Sequence, residues 1–106
     1  MVKVKAKLWL EKDSAFVLGK GRAELLRKVG ELGSLAKAAK SMRMSYSHAW
    51  SELKAISIAL GGPVVEASSG GRRGGGSRLT ARGEKILHRY EEERERLDRH
   101  LAKRNR

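Results

Sequence analysis

Residues 33–62 read GSLAKAAKSMRMSYSHAWSELKAISIALGG, and this stretch decides the fold. It contains two helical patterns, and the small polar residues Ser34 and Ser45 are good N-caps for the first and the second. Only two residues separate the apolar Met42 from the second cap. This spacing predicts a helix-turn-helix over residues 34–60, a motif whose second helix enters the major groove of DNA. The alternative is an αα-hairpin inside some other helical domain.

Composition narrows the partners that such a motif could have. The chain has 106 residues, which is enough for one small domain, 1–106, with a modest core. Lys and Arg number 24 against 12 Asp and Glu, which gives a formal net charge of +12. A surface this positive indicates a polyanionic partner, either nucleic acid or an anionic membrane face. The sequence has no apolar run that could span a bilayer and no signal-peptide core, so we expect a cytoplasmic protein without a membrane partner.

Catalytic and metal-binding signals are missing from the sequence. Cysteine is absent, which excludes disulfides and thiolate metal sites. The histidines His48, His88 and His100 are too scattered to indicate a metal cluster, and no Ser-His-Asp spacing is recognisable. We therefore expect that the protein is not an enzyme and that it binds no metal and no cofactor. Gln is absent and the only Asn is Asn105, while 34% of the residues are charged, a bias that fits a thermophile.

The N-terminal residues alternate in polarity. Apolar side chains occupy every second position from Val2 to Leu10, and residues 15–18 form a second apolar run after a turn. This pattern predicts a β-hairpin over residues 2–18 with one buried face. A helix with an apolar stripe follows and ends at Gly33. Lys3, Lys5 and Lys7 alternate with the apolar residues. Such a row more often forms a solvated face that prevents an edge strand from pairing, and the alternative is contact with DNA phosphates.

Residues 64–79 predict a wing. A strand at 64–67 leads into a basic, glycine-rich loop, and a short strand returns at Arg78. The glycines allow the backbone to lie close to a phosphate or in a minor groove, and Arg72 and Arg73 supply charge. The alternative is a flexible linker.

The last predicted helix covers residues 81–103, with Thr80 as its N-cap. Its apolar row has heptad-like spacing, and the charges around it have both signs. The helix could be a solvated single helix, but the row continues beyond the domain body, which favours a homodimer contact. The predicted interface residues are Leu87, Tyr90, Leu97 and Leu101.

The second helix of the motif separates into a core side and an outward side. Ala49, Leu53, Ile56 and Leu60 face the core. Trp50 lies beside this row, and packing between helices is its favoured role over base contact. No Asn, Gln or Arg occurs between Ser45 and Leu60, so base reading must use other side chains. Together with the wing, the predicted DNA-binding residues are Ser34, Ser45, Tyr46, Ser47, His48, Ser51, Lys54, Arg72, Arg73 and Arg78.

Several motifs carry a family resemblance. They are Gly33-Ser34-Leu35, Met44-Ser45-Tyr46, Ala49-Trp50, Val65-Glu66, the glycine runs 70–71 and 74–76, Leu79-Thr80 and Gly83. Together they resemble the DNA-binding domain of ModE-type molybdate-responsive regulators and, more distantly, that of LysR-type regulators. The resemblance implies DNA binding and dimerisation. In that family the oxyanion sensor is a separate C-terminal region that this chain, which ends at Arg106, does not contain, so the resemblance does not extend to molybdate sensing.

The predicted fold class is α+β: a winged helix-turn-helix with an N-terminal β-hairpin and a long C-terminal helix. The predicted function is a sequence-specific regulator of transcription that binds double-stranded DNA, with the recognition helix in the major groove and the wing on the minor groove or phosphates. A non-specific nucleoid-associated protein is the alternative. An RNA-binding winged helix is less favoured, because only 5% of the residues are aromatic and few could stack on bases.

Overall fold

The computed structural model describes residues 1–68 and 76–106, and it has the predicted α+β architecture. Two antiparallel two-stranded sheets flank a group of helices, the first sheet made by β1 and β2 and the second by β3 and β4. The order of elements is that of a winged helix-turn-helix with a long terminal helix. The elements are β1 (Leu10–Lys12), β2 (Ala15–Leu18), α1 (Lys20–Leu32), α2 (Leu35–Ser41), α3 (Tyr46–Leu60), β3 (Val65–Ser68), β4 (Gly76–Leu79) and α4 (Ala81–Arg104).

Side-chain caps explain why the helices begin where the sequence predicts. Ser34, Ser45 and Thr80 precede α2, α3 and α4, and each side-chain oxygen accepts a hydrogen bond from the backbone N–H three residues later, at 3.2, 3.1 and 3.0 Å. Gly33 ends α1 in the left-handed conformation at φ 67°, which a glycine adopts without steric cost. The observed helices therefore match the predicted spans 34–60 and 81–103 to within a residue or so.

The N-terminal strand is much shorter than predicted. Pairing in the first sheet begins only at Leu10, so the prediction of a hairpin starting at residue 2 is wrong for residues 2–9. The partner strand β2 has four residues, which limits how far pairing can extend. The preceding segment instead contacts the end of α4, where the Val4 N–H donates to Asn105 Oδ1 (2.8 Å) and Asn105 Nδ2 donates to the Val4 carbonyl oxygen (2.9 Å).

One hydrophobic core joins β2 and the four helices. It buries Leu25, Leu26 and Val29 of α1, which lie in the centre of the sequence stripe predicted for that helix. The predicted inner face of α3 is confirmed, since Ala49 and Ile56 are fully buried and Leu53 nearly so. Burying side chains of this size contributes about 1.5–3 kcal/mol for each Leu or Ile, which fixes the rotation of α3 about its axis.

The first half of α4 also belongs to this core. Leu87 and Tyr90 are buried within one chain, because this part of α4 packs beside α1. A hydrogen-bonded ion pair between Arg27 and Glu91 at 3.1 Å covers the same contact. Of the four residues predicted for a dimer interface, only Leu97 and Leu101 therefore remain partly exposed on the single chain.

Candidate nucleic-acid interface

A tight corner sets the angle between α2 and α3. Arg43 lies in the left-handed region at φ 56°, a conformation that costs a non-glycine residue about 1–2 kcal/mol. The Arg43 and Met44 N–H groups donate to carbonyl oxygens of α2 at 3.1 and 2.9 Å. Half-buried Met42 and Met44 pack against the core on either side of the corner. Backbone bonds and apolar anchors thus offset the strain, and the Arg43 side chain is left exposed.

The predicted outward side of α3 is exposed. This is the surface that lies away from the buried row of Ala49, Leu53 and Ile56. Because residues follow one another at about 100° around an α-helix, the residues three or four positions apart on this side form one continuous strip. All five residues of α3 that were predicted to bind DNA are exposed: Tyr46, Ser47, His48, Ser51 and Lys54.

The two capping serines that we predicted to bind DNA are engaged within the fold. Their side-chain oxygens accept hydrogen bonds from backbone N–H groups, but each hydroxyl can still donate a hydrogen bond. Ser45 Oγ also lies 3.4 Å from Ser47 Oγ at the start of α3. Ser45 therefore stands at the amino end of a 15-residue helix, where the helix dipole favours negative charge.

The one carboxylate of α3 is neutralised by its neighbours. Glu52 forms an ion pair with Arg22, and Arg22 Nη1 also donates to the Val17 carbonyl oxygen at 2.9 Å. His48 Nε2 lies 3.7 Å from the other Glu52 oxygen. Sequence reasoning missed this group, because Arg22 and Glu52 are 30 residues apart. As a result, α3 presents no unpaired negative charge.

The cations of α2 and the corner are arranged differently from those of the wing. Within residues 1–68 and 76–106, no carboxylate lies within 4 Å of Lys37, Lys40 or Arg43, so their charge is available to an external anion. Arg78, which we also predicted to bind DNA, donates from Nε to Glu66 Oε1 at 2.9 Å across the second sheet. Its charge is therefore already shared with a carboxylate.

The root of the wing is firmly attached to the helices. β3 and β4 pair in register from Val65–Leu79 to Ser68–Gly76, which confirms strands on both sides of the predicted loop. The Ser77 N–H donates to the Gly33 carbonyl oxygen at 2.9 Å and so ties β4 to the turn before α2. Arg72 and Arg73 lie in 69–75, outside the described residues.

Trp50 does not have the position we expected. Packing between helices was the favoured prediction, but Trp50 is 48% exposed. The indole lies beside a groove between α3 and the second sheet, and Lys54 Nζ stands 4.8 Å from the ring centroid. A cation at this distance from an aromatic ring is attracted to its face.

Other kinds of site find little support in the described parts of the chain. There, no group of three or more His, Asp or Glu side chains could hold a metal ion. In the same residues no helix combines the length and apolarity needed to cross a membrane.

Comparison with known proteins gives a consistent result. The family model described as "Bacterial regulatory helix-turn-helix protein, lysR family" matches residues 22–84. The molybdenum-pterin-binding protein MopB of Rhodobacter capsulatus is 41% identical over 73 residues, which are 69% of this chain and 27% of MopB. The transcriptional regulator ModE of Haemophilus influenzae is 33% identical over 84 residues, which are 79% of this chain and 33% of that protein.

These matches confirm the resemblance to ModE-type proteins, and they concern one part of them. The chain spans about a third or less of the length of these relatives. The matched region contains α2, the corner, α3 and both wing strands. Because the family match covers more than half of its residues, the chain belongs to the bacterial regulatory helix-turn-helix proteins of the lysR family.

Proposed function

We propose that this protein is a sequence-specific transcriptional regulator that binds double-stranded DNA. The observation that carries the proposal is the outward strip of α3, which presents Ser47, Ser51 and Lys54 while the opposite side of the helix is locked into the core. Family membership and relatives named as transcriptional regulators support the broader role of a DNA-binding regulator. An α-helix of this kind fits the width of the major groove.

The charges around α3 are consistent with this docking. When α3 enters the major groove, a phosphate strand runs past the preceding helix and the corner, as in other helix-turn-helix proteins. Lys37, Lys40 and Arg43 are exposed there and have no acidic neighbour among the described residues. The wing, with Arg72 and Arg73 in its loop sequence, would reach the adjacent minor groove or phosphates.

Selection of bound duplexes from a random pool tests the proposed function. An enriched motif supports sequence reading. Recovery of the pool without enrichment supports the alternative, a protein that coats DNA without preference. The purified chain suffices for this experiment, because no effector is part of the proposal.

Affinity for a duplex is expected to fall steeply with salt. If six cations each neutralise one phosphate, the logarithmic salt slope is about −5.4 for each protein chain, or roughly a thousandfold or more weaker binding between 50 and 200 mM salt. These cations are Lys37, Lys40, Arg43, Lys54, Arg72 and Arg73. Fluorescence anisotropy over a salt series measures this slope. A flat response contradicts the role of these cations.

Replacing Arg72 and Arg73 by Ala should weaken binding to all duplexes by about tenfold or more at moderate salt, and it should make the salt slope shallower by about 1.8. The matched control replaces Arg89 and Arg96 on α4 by Ala, and both of these arginines form ion pairs with Glu93. The control removes the same charge away from the wing and should leave the slope unchanged. Equal slopes for all three proteins would show that the loop is only a linker.

We also propose a twofold dimer that reads two half-sites separated by about one helical turn, roughly 10 bp, or by a multiple of it. A single α3 without Asn, Gln or Arg discriminates weakly, and two copies in fixed register multiply that preference, since each correct base pair contributes about 1–3 kcal/mol. Leu97 and Leu101 are the partly exposed apolar positions in the second half of α4, and the ion pairs beside them suit a solvated rim.

Replacing Leu97 and Leu101 by Asp should convert the dimer to a monomer and weaken binding to a palindromic site by at least about tenfold, because two buried carboxylates would be unpaired. Light scattering at micromolar concentration and anisotropy measure the two effects. Ala102→Asp, at an exposed neighbouring position, is the control and should stay dimeric. A monomeric wild type, or a double variant that remains dimeric, rules out this interface.

A further inference from the structure

Two aromatic side chains stand exposed on the recognition helix, one turn apart. Tyr46 is 57% exposed and Trp50 is 48% exposed. Both line the groove between α3 and the second sheet, with Leu53 and Val65 in its wall and Ala67 on the wing side. Large aromatic surface left in water is unfavourable for the free protein, at about 25 cal/mol for each Å² of apolar area. A partner that covers this surface therefore gains free energy.

The position of Trp50 places it at the border of the outward strip of α3. At 100° per residue, its Cβ direction is about 40° from that of Lys54 and about 60° from that of Ser47, on the side that faces the wing. Lys54 Nζ lies over the ring, 4.8 Å from its centroid, which restrains the indole beside the strip. Trp50 is also in the amino-terminal half of α3, the half that contacts base edges in helix-turn-helix proteins.

The indole of Trp50 is mainly apolar, and it matches one feature of the major groove. Hydrogen-bond readout of adenine and guanine ordinarily uses Asn, Gln, Arg or Lys, and of these α3 has only Lys54, whose Nζ lies over the Trp50 ring. The apolar mark in the major groove is the C5-methyl group of thymine. We propose that Trp50 is a specificity-determining residue that reads thymine through apolar contact between its indole and this methyl group. The inference rests on the proposed function, because it requires α3 to lie in the major groove.

Ile58 is the other exposed apolar residue of α3, with 72% exposure. It lies eight residues beyond Trp50, about 12 Å further along the helix axis. That places it in the last turn, close to Gly61, where α3 ends. Ile58 is therefore a matched control: an exposed apolar side chain on the same helix that the proposal does not use.

The test uses a duplex obtained by selection and replaces its thymines one at a time by deoxyuridine, which lacks only the methyl group. For the wild-type protein, Kd should rise about fourfold at one or two thymines of each half-site, the effect of exposing one methyl group. Trp50→Ala should bind the thymine and deoxyuridine duplexes equally at those positions. Trp50→Phe should retain part of the discrimination, and Ile58→Ala should retain all of it.

A second measurement does not depend on the folding of an alanine variant. The chain has two tryptophans, so Trp9→Phe leaves Trp50 as the only indole. Its fluorescence should change when the protein binds the thymine duplex, and the change should be smaller with deoxyuridine at the sensitive positions. Emission that is identical in the free and bound protein would contradict the contact.

The outcomes separate this inference from the function on which it rests. A pool without an enriched motif overturns both. An enriched motif combined with no deoxyuridine effect, or with an effect that persists in Trp50→Ala, overturns the role of Trp50 and leaves the regulator intact. If the deoxyuridine effect is lost in Ile58→Ala and retained in Trp50→Ala, Ile58 reads the thymine methyl group. That result also overturns the inference.

Discussion

Gly83→Ala should lower the free energy of unfolding by about 2–4 kcal/mol, a large effect for the addition of one methyl group. A Cβ at this position would lie 2.1 Å from the Val64 carbonyl oxygen and 3.0 Å from the Val64 carbonyl carbon. Both are backbone atoms, so no side-chain rotation relieves the overlap. The same oxygen accepts the Thr80 N–H at 3.0 Å, and moving it would disturb the junction between the wing and α4.

Gly21→Ala is the matched control for this prediction. Gly21 is also in the first turn of a helix, but a Cβ there meets nothing within 4 Å. Since Ala is a better helix former, this variant should be as stable as the wild type or more stable by up to about 1 kcal/mol. Urea denaturation measures the free energy of unfolding of both variants. Thermal melting of Gly83→Ala should show a Tm lower by roughly 4–8 °C for each kcal/mol lost. A Gly83→Ala protein as stable as Gly21→Ala would contradict the close packing of α4 on Val64.

Replacing Ser47 and Ser51 by Glu should weaken DNA binding by at least about a hundredfold. Both positions are exposed on the outward strip of α3, so two carboxylates there would face the phosphates and base edges of a bound duplex. Two like charges at 4 Å repel by about 1 kcal/mol in water and by about 4 kcal/mol near a protein surface, and 1.4 kcal/mol corresponds to a tenfold change.

The variant should fold normally, because Glu is a good helix former and a negative charge is favoured near the start of a helix. Anisotropy measures its affinity, and thermal melting verifies its stability. The control introduces the same charge change at the exposed positions His100 and Ala102 of α4, each replaced by Glu. If the variant with Glu at positions 47 and 51 binds DNA as tightly as this control, α3 is excluded from the DNA interface.

Local signals explain why most of the fold was predictable from the sequence. The caps Ser34, Ser45 and Thr80 act within three residues, so the amino ends of α2, α3 and α4 could be located without tertiary information. The long N-terminal strand could not be excluded in this way. Alternation shows that a segment can form a strand, but strand length depends on the partner, and β2 offers only four residues.

The candidate site was predictable in outline and not in its electrostatics. Exposure of the α3 strip follows from the period of its buried row, and the structure confirms it. Two ion pairs join residues that are distant in sequence: Glu52 and Arg22 are 30 positions apart, and Glu66 and Arg78 are 12 positions apart. The sequence alone does not reveal that these charges are paired. Exposure of Trp50 likewise depends on where the second sheet lies beside α3.

Reading of base sequence by α3 is tested most directly by selecting duplexes from a random pool with the wild-type protein and, in parallel, with the variant that carries Glu at positions 47 and 51. The wild type should enrich a palindrome whose half-sites are about 10 bp apart, or a multiple of that distance. The variant should enrich no motif, while any binding that remains should stay sensitive to salt. Absence of a motif with the wild-type protein, or the same motif with both proteins, would contradict a recognition helix that reads the major groove.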